Sequence, residues 1–180
     1  MEETVALLAR LSGQPVRRYS TVDFGREKIH ECVSVVVPNE QGKSLVYDLR
    51  RELSAGFLAF IGTTRWLGDE QHKGVEVVVG QGRSQFDILR MAKSDACNCG
   101  MGTEDIIKRL QEWHEAIGID IFHAETDTIE LNLARLPGDL NAFAQAVYDF
   151  CPDIVDQGVG SVDALKDAIQ NDRHVYLWWD

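Results

Sequence analysis

The 180-residue sequence is short of positive charge, of proline and of any long apolar run. Lys and Arg number 18 against 29 Asp and Glu, giving a formal net charge of −11 and a pI near 4.8. Nucleic-acid affinity comes mainly from Lys and Arg neutralising phosphates, so this balance argues against DNA and RNA as ligands. The same charge repels anionic lipid and speeds encounter with a basic protein. No stretch approaches the roughly 18 apolar residues of a membrane span. Met1-Glu2-Glu3 lacks a basic n-region and an apolar h-region, so no secretory leader is expected. The four cysteines, Cys32, Cys97, Cys99 and Cys151, are then expected as reduced thiols in a cytoplasmic protein. Cys97 and Cys99 are also too close in sequence for an easy bridge. Familiar catalytic signatures are missing too. There is no Gly-x-Ser-x-Gly, no His-Glu-x-x-His and no EF-hand loop. Gly80-Gln81-Gly82 is too short for a phosphate loop and lacks the Lys-Ser/Thr that should follow.

What remains is a globular mix, 44% hydrophobic and 26% charged. A helix is expected over 4–12, with Val5, Leu8 and Leu11 on one face and Gly13 to end it. Residues 14–31 give no clear pattern. Cys32–Val37 reads as a buried strand closed by Pro38, then a turn over 39–42 and a helix over 43–53. Strands follow at 57–61 and 75–79, separated by a charged loop over 62–73 that holds Trp66. In the second half, 85–91 reads as a strand with Phe86, Ile88 and Arg90 on one face. Thr103 is the expected N-cap of a helix carrying Ile106, Leu110, Trp113 and Ile117. A hairpin over 119–134 follows, then a helix from Asp139 that Pro152 stops, a helix capped by Ser161, and a last strand over 175–180.

The fold class is therefore α+β, with mostly antiparallel sheets and helices on one face. The finer expectation is two tandem β-α-β-β, ferredoxin-like halves. These lie in a single domain over 1–180, built as lobes 1–82 and 83–180.

Certain stretches carry a resemblance. Tyr148-Asp149-Phe150-Cys151-Pro152-Asp153 and the closing Trp178-Trp179-Asp180 are the most distinctive. Phe86-Asp87-Ile88-Leu89-Arg90, Thr103-Glu104-Asp105 and Leu136-Pro137-Gly138-Asp139 add to them. Together they resemble the bacterial family known as domain of unknown function 4253, over about residues 75–180. Cys99 departs from it, since the family often has an aromatic residue after the Asn at this point. The resemblance implies a bacterial origin and no activity.

Three sets of residues could carry chemistry. Cys151 could act as a nucleophile with a nearby imidazole such as His123, but it sits at a helix C-terminus between Asp149 and Asp153, which disfavours a thiolate. Asp153 and Asp156, three apart around a turn, could do acid–base work, or serve the turn locally. Cys97 and Cys99 with His114 supply zinc-ligand types, but Cys-x-Cys is tighter than the usual spacing. No cofactor is expected. The binding candidates are Asp153, Asp156, Gln157, Trp178, Trp179, Asp180 and Arg90. A terminal Trp is a common interface anchor, and Arg90 within an apolar strand needs an acidic partner such as Asp87.

The leading expectation is a non-enzymatic binding protein, of immunity or antitoxin type, set against a basic partner such as a toxin. Its contact face would draw on Asp69, Glu70, the 153–156 turn and a Trp anchor. One alternative is an enzyme or small-ligand protein with a pocket near Cys151, Asp153, Asp156 and Asp180. The other is a zinc-binding protein.

Overall fold

The computed structural model describes residues 2–21, 28–64 and 74–180. Trp66, Asp69 and Glu70 lie outside the described residues. Helices α1 (Glu2–Ser12), α2 (Asn39–Glu52), α3 (Asp87–Ala92), α4 (Thr103–Ile117), α5 (Leu140–Phe150) and α6 (Val162–Asp172) are interleaved with seven strands. These are β1 (Arg17–Ser20), β2 (Lys28–Val37), β3 (Phe57–Ile61), β4 (Val75–Gln81), β5 (Ile119–Ala124), β6 (Thr128–Leu133) and β7 (His174–Trp178). The class is α+β and the strand pairing mostly antiparallel. Two compact units form. The first is Met1–Lys93 with Phe122–Thr126; the second is Ser94–Ile121 with Asp127–Asp180. Among the described residues no helix is long and apolar enough to cross a membrane.

In the first unit the strands run in the order β1-β2-β4-β3, and the end of β5 joins β3 in parallel at Ile61↔His123. Alternation decides what each face buries. Val35 and Val37 of β2, Ala59 and Ile61 of β3, and Val75, Val77 and Val79 of β4 meet Leu8 of α1 and Leu45, Val46 and Leu49 of α2. On the other face the Tyr19 and Phe60 rings meet edge-on at 5.9 Å. Glycine is needed at position 80, where an added Cβ would lie 2.3 Å from Met91 Sδ and 2.5 Å from Cys32 Sγ. Glu76 is also buried on this face. Its Oε1 accepts from Ser34 Oγ at 2.5 Å and from Arg17 Nη2 at 2.9 Å. Burial still pushes the Glu76 carboxyl above its usual range, against the Ser34 bond and the Arg17 charge.

Several local expectations need correction. The strand expected over 85–91 is instead helix α3, so the second β-α-β-β half loses its first strand. The deciding chemistry is Ser84 and Asp87. Asp87 Oδ2 accepts from the main-chain N–H groups of Arg83, at 2.7 Å, and Ser84, at 3.1 Å, which folds the turn that leads into α3. Leu89 and Met91, both buried, then fit a helical period that strict alternation does not. Residues 39–42 are the first turn of α2 and not a separate turn. Thr103 is the first residue of α4, and Gly102 holds the cap position, its N–H donating to Asp105 Oδ2 at 3.0 Å. The unpatterned stretch 14–31 contains β1 and the beginning of β2.

In the second unit β6 and β7 pair antiparallel from Thr128↔Trp178 to Asn132↔His174. Asp139 caps α5 by accepting from Ala142 N–H at 2.9 Å. Ser161 caps α6 by accepting from Ala164 N–H at 3.1 Å. A π-helical turn, Ile154–Val159, leads from α5 toward α6. An aromatic chain runs through the core of this unit. Trp113 of α4 meets Phe143 and Phe150 of α5 edge-on at 5.2 and 5.6 Å, and Phe150 meets Trp179 at 5.4 Å.

Candidate functional site

The most distinctive sequence motifs meet in the second unit. At the end of α5 the chain turns through Cys151, Pro152 and Asp153, and beside this turn lie Trp178, Trp179 and Asp180. Cys151 is fully buried. Its thiol donates to Trp178 O at 3.0 Å, and its sulfur accepts from Trp178 N–H at 3.2 Å. The strand register explains why a thiol is useful here. Trp179 N–H reaches Asp127 O and Leu133 N–H reaches Arg173 O, so the odd-numbered residues of β7 turn their main-chain groups toward β6. Trp178 therefore turns its N–H and C=O outward, and Cys151 satisfies both. One sulfur takes the place of a residue of neighbouring strand.

Three more bonds close the clasp. Trp179, buried, donates its indole N–H to Phe150 O at 3.2 Å. Asp153 Oδ2 accepts from Asp180 N–H at 3.0 Å, and its Oδ1 accepts from Gln157 Nε2 at 3.1 Å. Asn98 Nδ2 donates to the Asp180 main-chain oxygen at 2.6 Å, which ties the 94–102 loop to the same place. Burial pushes the Cys151 thiol up to about 12, with nearby Asp153 adding to the rise against two main-chain hydrogen bonds. A thiol so held is protonated at neutral pH and has the opposite of nucleophilic character.

The remaining candidates are scattered. Asp156 is exposed and accepts from Tyr148 O–H at 3.2 Å, a bond that raises the phenol's pKa. His123 lies in the first unit, buried, with Nε2 2.9 Å from Glu125 Oε1. His114 Nδ1 receives the Ile119 N–H at 3.2 Å and so serves the turn between α4 and β5. Cys97 donates to Asp95 Oδ1 at 2.8 Å. Among the described residues no three His, Cys, Asp or Glu side chains gather as a metal cluster. Trp179 is too buried to serve as an exposed anchor, while Trp178 is half-buried. Arg90 has the expected partner, Asp87 Oδ1 at 2.6 Å, but on a half-exposed helix surface and not inside a strand.

Among the described residues, two open hollows lie near the candidate residues. One, in the first unit, has a volume of about 610 Å³ and is lined by Glu31, Gln81, Arg83, Asp87, Arg90 and Met91, among others. There partial burial of Asp87 is outweighed by the Arg83 and Ser84 N–H groups and by Arg90, which keep its carboxyl below the usual range. The other, in the second unit, has a volume of about 440 Å³. It lies beside the motif but is lined by Cys99, Met101, Arg109, Ala146, Asp149, Phe150 and Pro152. Cys151, Asp153, Asp156 and Asp180 are not among its walls.

The sequence profile of a protein family described as a domain of unknown function, DUF4253, matches residues 76–180. The chain belongs to that family. No curated protein and no solved structure matches it. For this DUF4253 chain the clasp gives Cys151, Asp153 and Trp179 a physical task, and the charge distribution adds a second feature. The first unit holds 13 Asp and Glu against 13 Lys and Arg, while the second holds 16 against 5. The whole formal charge of −11 thus falls on the second unit. None of its 16 carboxylates is buried. The division is also legible in the linear sequence, where residues 94–180 hold 17 Asp and Glu against 5 Lys and Arg, because Phe122–Thr126 carries a single charge, Glu125.

Proposed function

We propose that this protein is a non-enzymatic binding module of the bacterial cytoplasm whose second unit meets a basic partner, in the manner of an immunity or antitoxin protein set against a basic toxin. The observation that carries this reading is the segregation of charge: one unit neutral, the other bearing 11 excess carboxylates on its surface. Such a surface draws in a cationic partner and raises the association rate, and salt screens it. The clasp supports the reading, because Cys151 and Asp153 are engaged in holding β7 and are withdrawn from chemistry. Asp156, Asp163, Asp167 and Asp172 are exposed along the π turn and α6 and are natural contacts.

The test is affinity capture from the native cell with the whole protein as bait, at low and at high salt, beside a bait carrying Asp156→Asn, Asp163→Asn and Asp167→Asn. The expected partner is basic, is retained at low salt, and is lost both at high salt and with the neutralised bait. A partner that is acidic, or one that holds equally well under all three conditions, would overturn the reading. A toxin gene next to this one would be the expected gene context.

A further inference from the structure

A small hollow of about 20 Å³ lies within the first unit, beside the ends of β1, β3 and β5. Among the described residues its walls are Tyr19, Thr21, Thr63, Glu125 and Thr126, and each of them bears a side-chain oxygen. Tyr19, Thr21 and Thr63 are buried. Thr21, 5% exposed, holds its Oγ1 away from solvent, and among the described residues no hydrogen-bond partner meets that atom. The hydroxyls beside it are already committed. Thr64 O–H donates to Glu125 Oε1, and His123 Nε2 lies 2.9 Å from the same oxygen. Thr63 O–H donates to the Glu76 carboxyl, and Thr63 O accepts from Glu76 N–H at 2.9 Å. A hydroxyl that has given its hydrogen to a carboxyl group has only lone pairs left to offer.

We propose that this hollow binds one dehydrated alkali-metal cation, Na⁺ or K⁺, through the oxygens of Glu125, Thr21 and Thr63. The volume sets the size of the occupant. A single water-sized sphere needs about 10–15 Å³, so the hollow takes one small guest and no hydration shell. The donors set its chemistry. Oxygen ligands without sulfur or nitrogen select a hard cation. Calcium takes about 6–8 oxygens, carboxylates among them, and magnesium keeps several of its waters. The described walls hold one carboxylate, Glu125, and have no space for those waters. A monovalent ion meets both limits, with protein oxygens standing where its water stood. The Glu125 carboxylate favours a cation over a neutral guest, and the Glu76 carboxyl lies one hydrogen bond behind Thr63. The ion also answers Thr21, since a buried hydroxyl left unmet is destabilising and an ion at its lone pairs removes that cost. Once bound, it staples Glu125 and Thr126 to the ends of β1 and β3, so the segment that returns to the first unit is held by more than the Ile61↔His123 pairing. This site is independent of the basic-partner reading, which concerns the other unit, and either can fail without the other.

The experiment is thermal unfolding of the whole protein in sodium, potassium and choline chloride, with magnesium and calcium chloride as further arms, all at matched ionic strength. Screening is then equal throughout, and a difference between salts reports binding to the folded state. The wild type should melt about 2–4 °C higher in sodium or potassium than in choline, and neither divalent ion should exceed that gain. Thr21→Val keeps the shape of the side chain and removes the unmet hydroxyl. In choline it should melt at or above the wild type, and it should lose the alkali-ion gain. Glu125→Gln, which removes the charge, should lose the gain as well. Wild-type protein that melts at one temperature in sodium, potassium and choline would overturn the site and leave an ordered water as the occupant; that comparison needs no variant to fold. An undiminished gain in Thr21→Val, or a divalent ion that stabilises more than either alkali ion, would overturn it too.

Discussion

Replacing Cys151 separates a structural thiol from a chemical one. In Cys151→Ala the Trp178 N–H and C=O lose their shared partner, at 3.2 and 3.0 Å. A polar group left unsatisfied away from water costs about 1–3 kcal/mol, and the lost sulfur contacts add about 1 kcal/mol more. Both main-chain groups are partly buried, so the lower end of that range applies to each, and the total is about 3 kcal/mol. Cys151→Ser keeps a donor and an acceptor on a shorter arm, so it should cost about 1 kcal/mol. Urea unfolding followed by tryptophan fluorescence measures both, and the slope with denaturant should stay at its wild-type value, since the unfolded surface is the same. The expected order is wild type, then serine, then alanine. An alanine variant within about 0.5 kcal/mol of wild type, or above serine, would refute the claim that the thiol substitutes for a strand neighbour.

Four further outcomes follow from the same structure. A thiol-reactive dye at neutral pH should label two cysteines quickly, Cys97 and Cys99, and reach Cys32 and Cys151 only on unfolding; mass spectrometry of the labelled peptides reads this. Cys32 and Cys151 have folded pKa values raised from 9.0 to about 12, so the unfolded chain releases their protons first. The part of the stability that these two thiols supply should be constant below pH 9 and be lost as pH climbs from 9 toward 12, measured by chemical denaturation along that range. Arg17→Ala should leave the buried Glu76 carboxylate without its cation, at 2.9 Å in the wild type, and should lower stability by about 3 kcal/mol at neutral pH and less at acid pH, where the carboxyl, which burial pushes above its usual range, takes up a proton. Trp179→Phe should keep the edge-on contact with Phe150 but lose the 3.2 Å indole bond, costing about 1 kcal/mol by thermal melt.

The parts of this fold that could be read from the sequence are those where one physical signal was strong. The valine-rich runs of β2 and β4, the apolar stripe of α4 and the Ser161 cap all behave as their patterns require. Phe86, Ile88 and Arg90 also fit a period of two; the deciding signal is the Ser84 and Asp87 pair, whose side chains accept the Phe86 and Ser84 N–H groups and fold the turn that leads into α3. The clasp was foreshadowed only in part. A cysteine before a proline is easily read as buried, but its double bond to Trp178 depends on the register of β7, which is set by pairing with β6 and by nothing local. The charge division, by contrast, stands in the linear sequence, since residues 94–180 hold 17 Asp and Glu against 5 Lys and Arg and the return of Phe122–Thr126 to the first unit moves only Glu125.

The matched family region begins at residue 76, inside β4, yet β4 cannot stand without what precedes it. It lies between β2 and β3, and β3 ends at residue 61. A fragment spanning 76–180 would therefore keep the strand and lose both neighbours. Val77, Val78 and Val79 are fully buried in the whole chain, on both faces of the sheet. Exposing three valines forfeits about 1.5–3 kcal/mol each, or roughly 5–9 kcal/mol together, and opens two unpaired strand edges. That is the size of a domain's entire stability. The fragment is expected to aggregate or to show no cooperative melt by circular dichroism in the first-unit segment, whereas the full chain melts cooperatively. A soluble 76–180 fragment that unfolds in one sharp transition, with β4 amides protected from hydrogen exchange, would show that the strand finds support elsewhere.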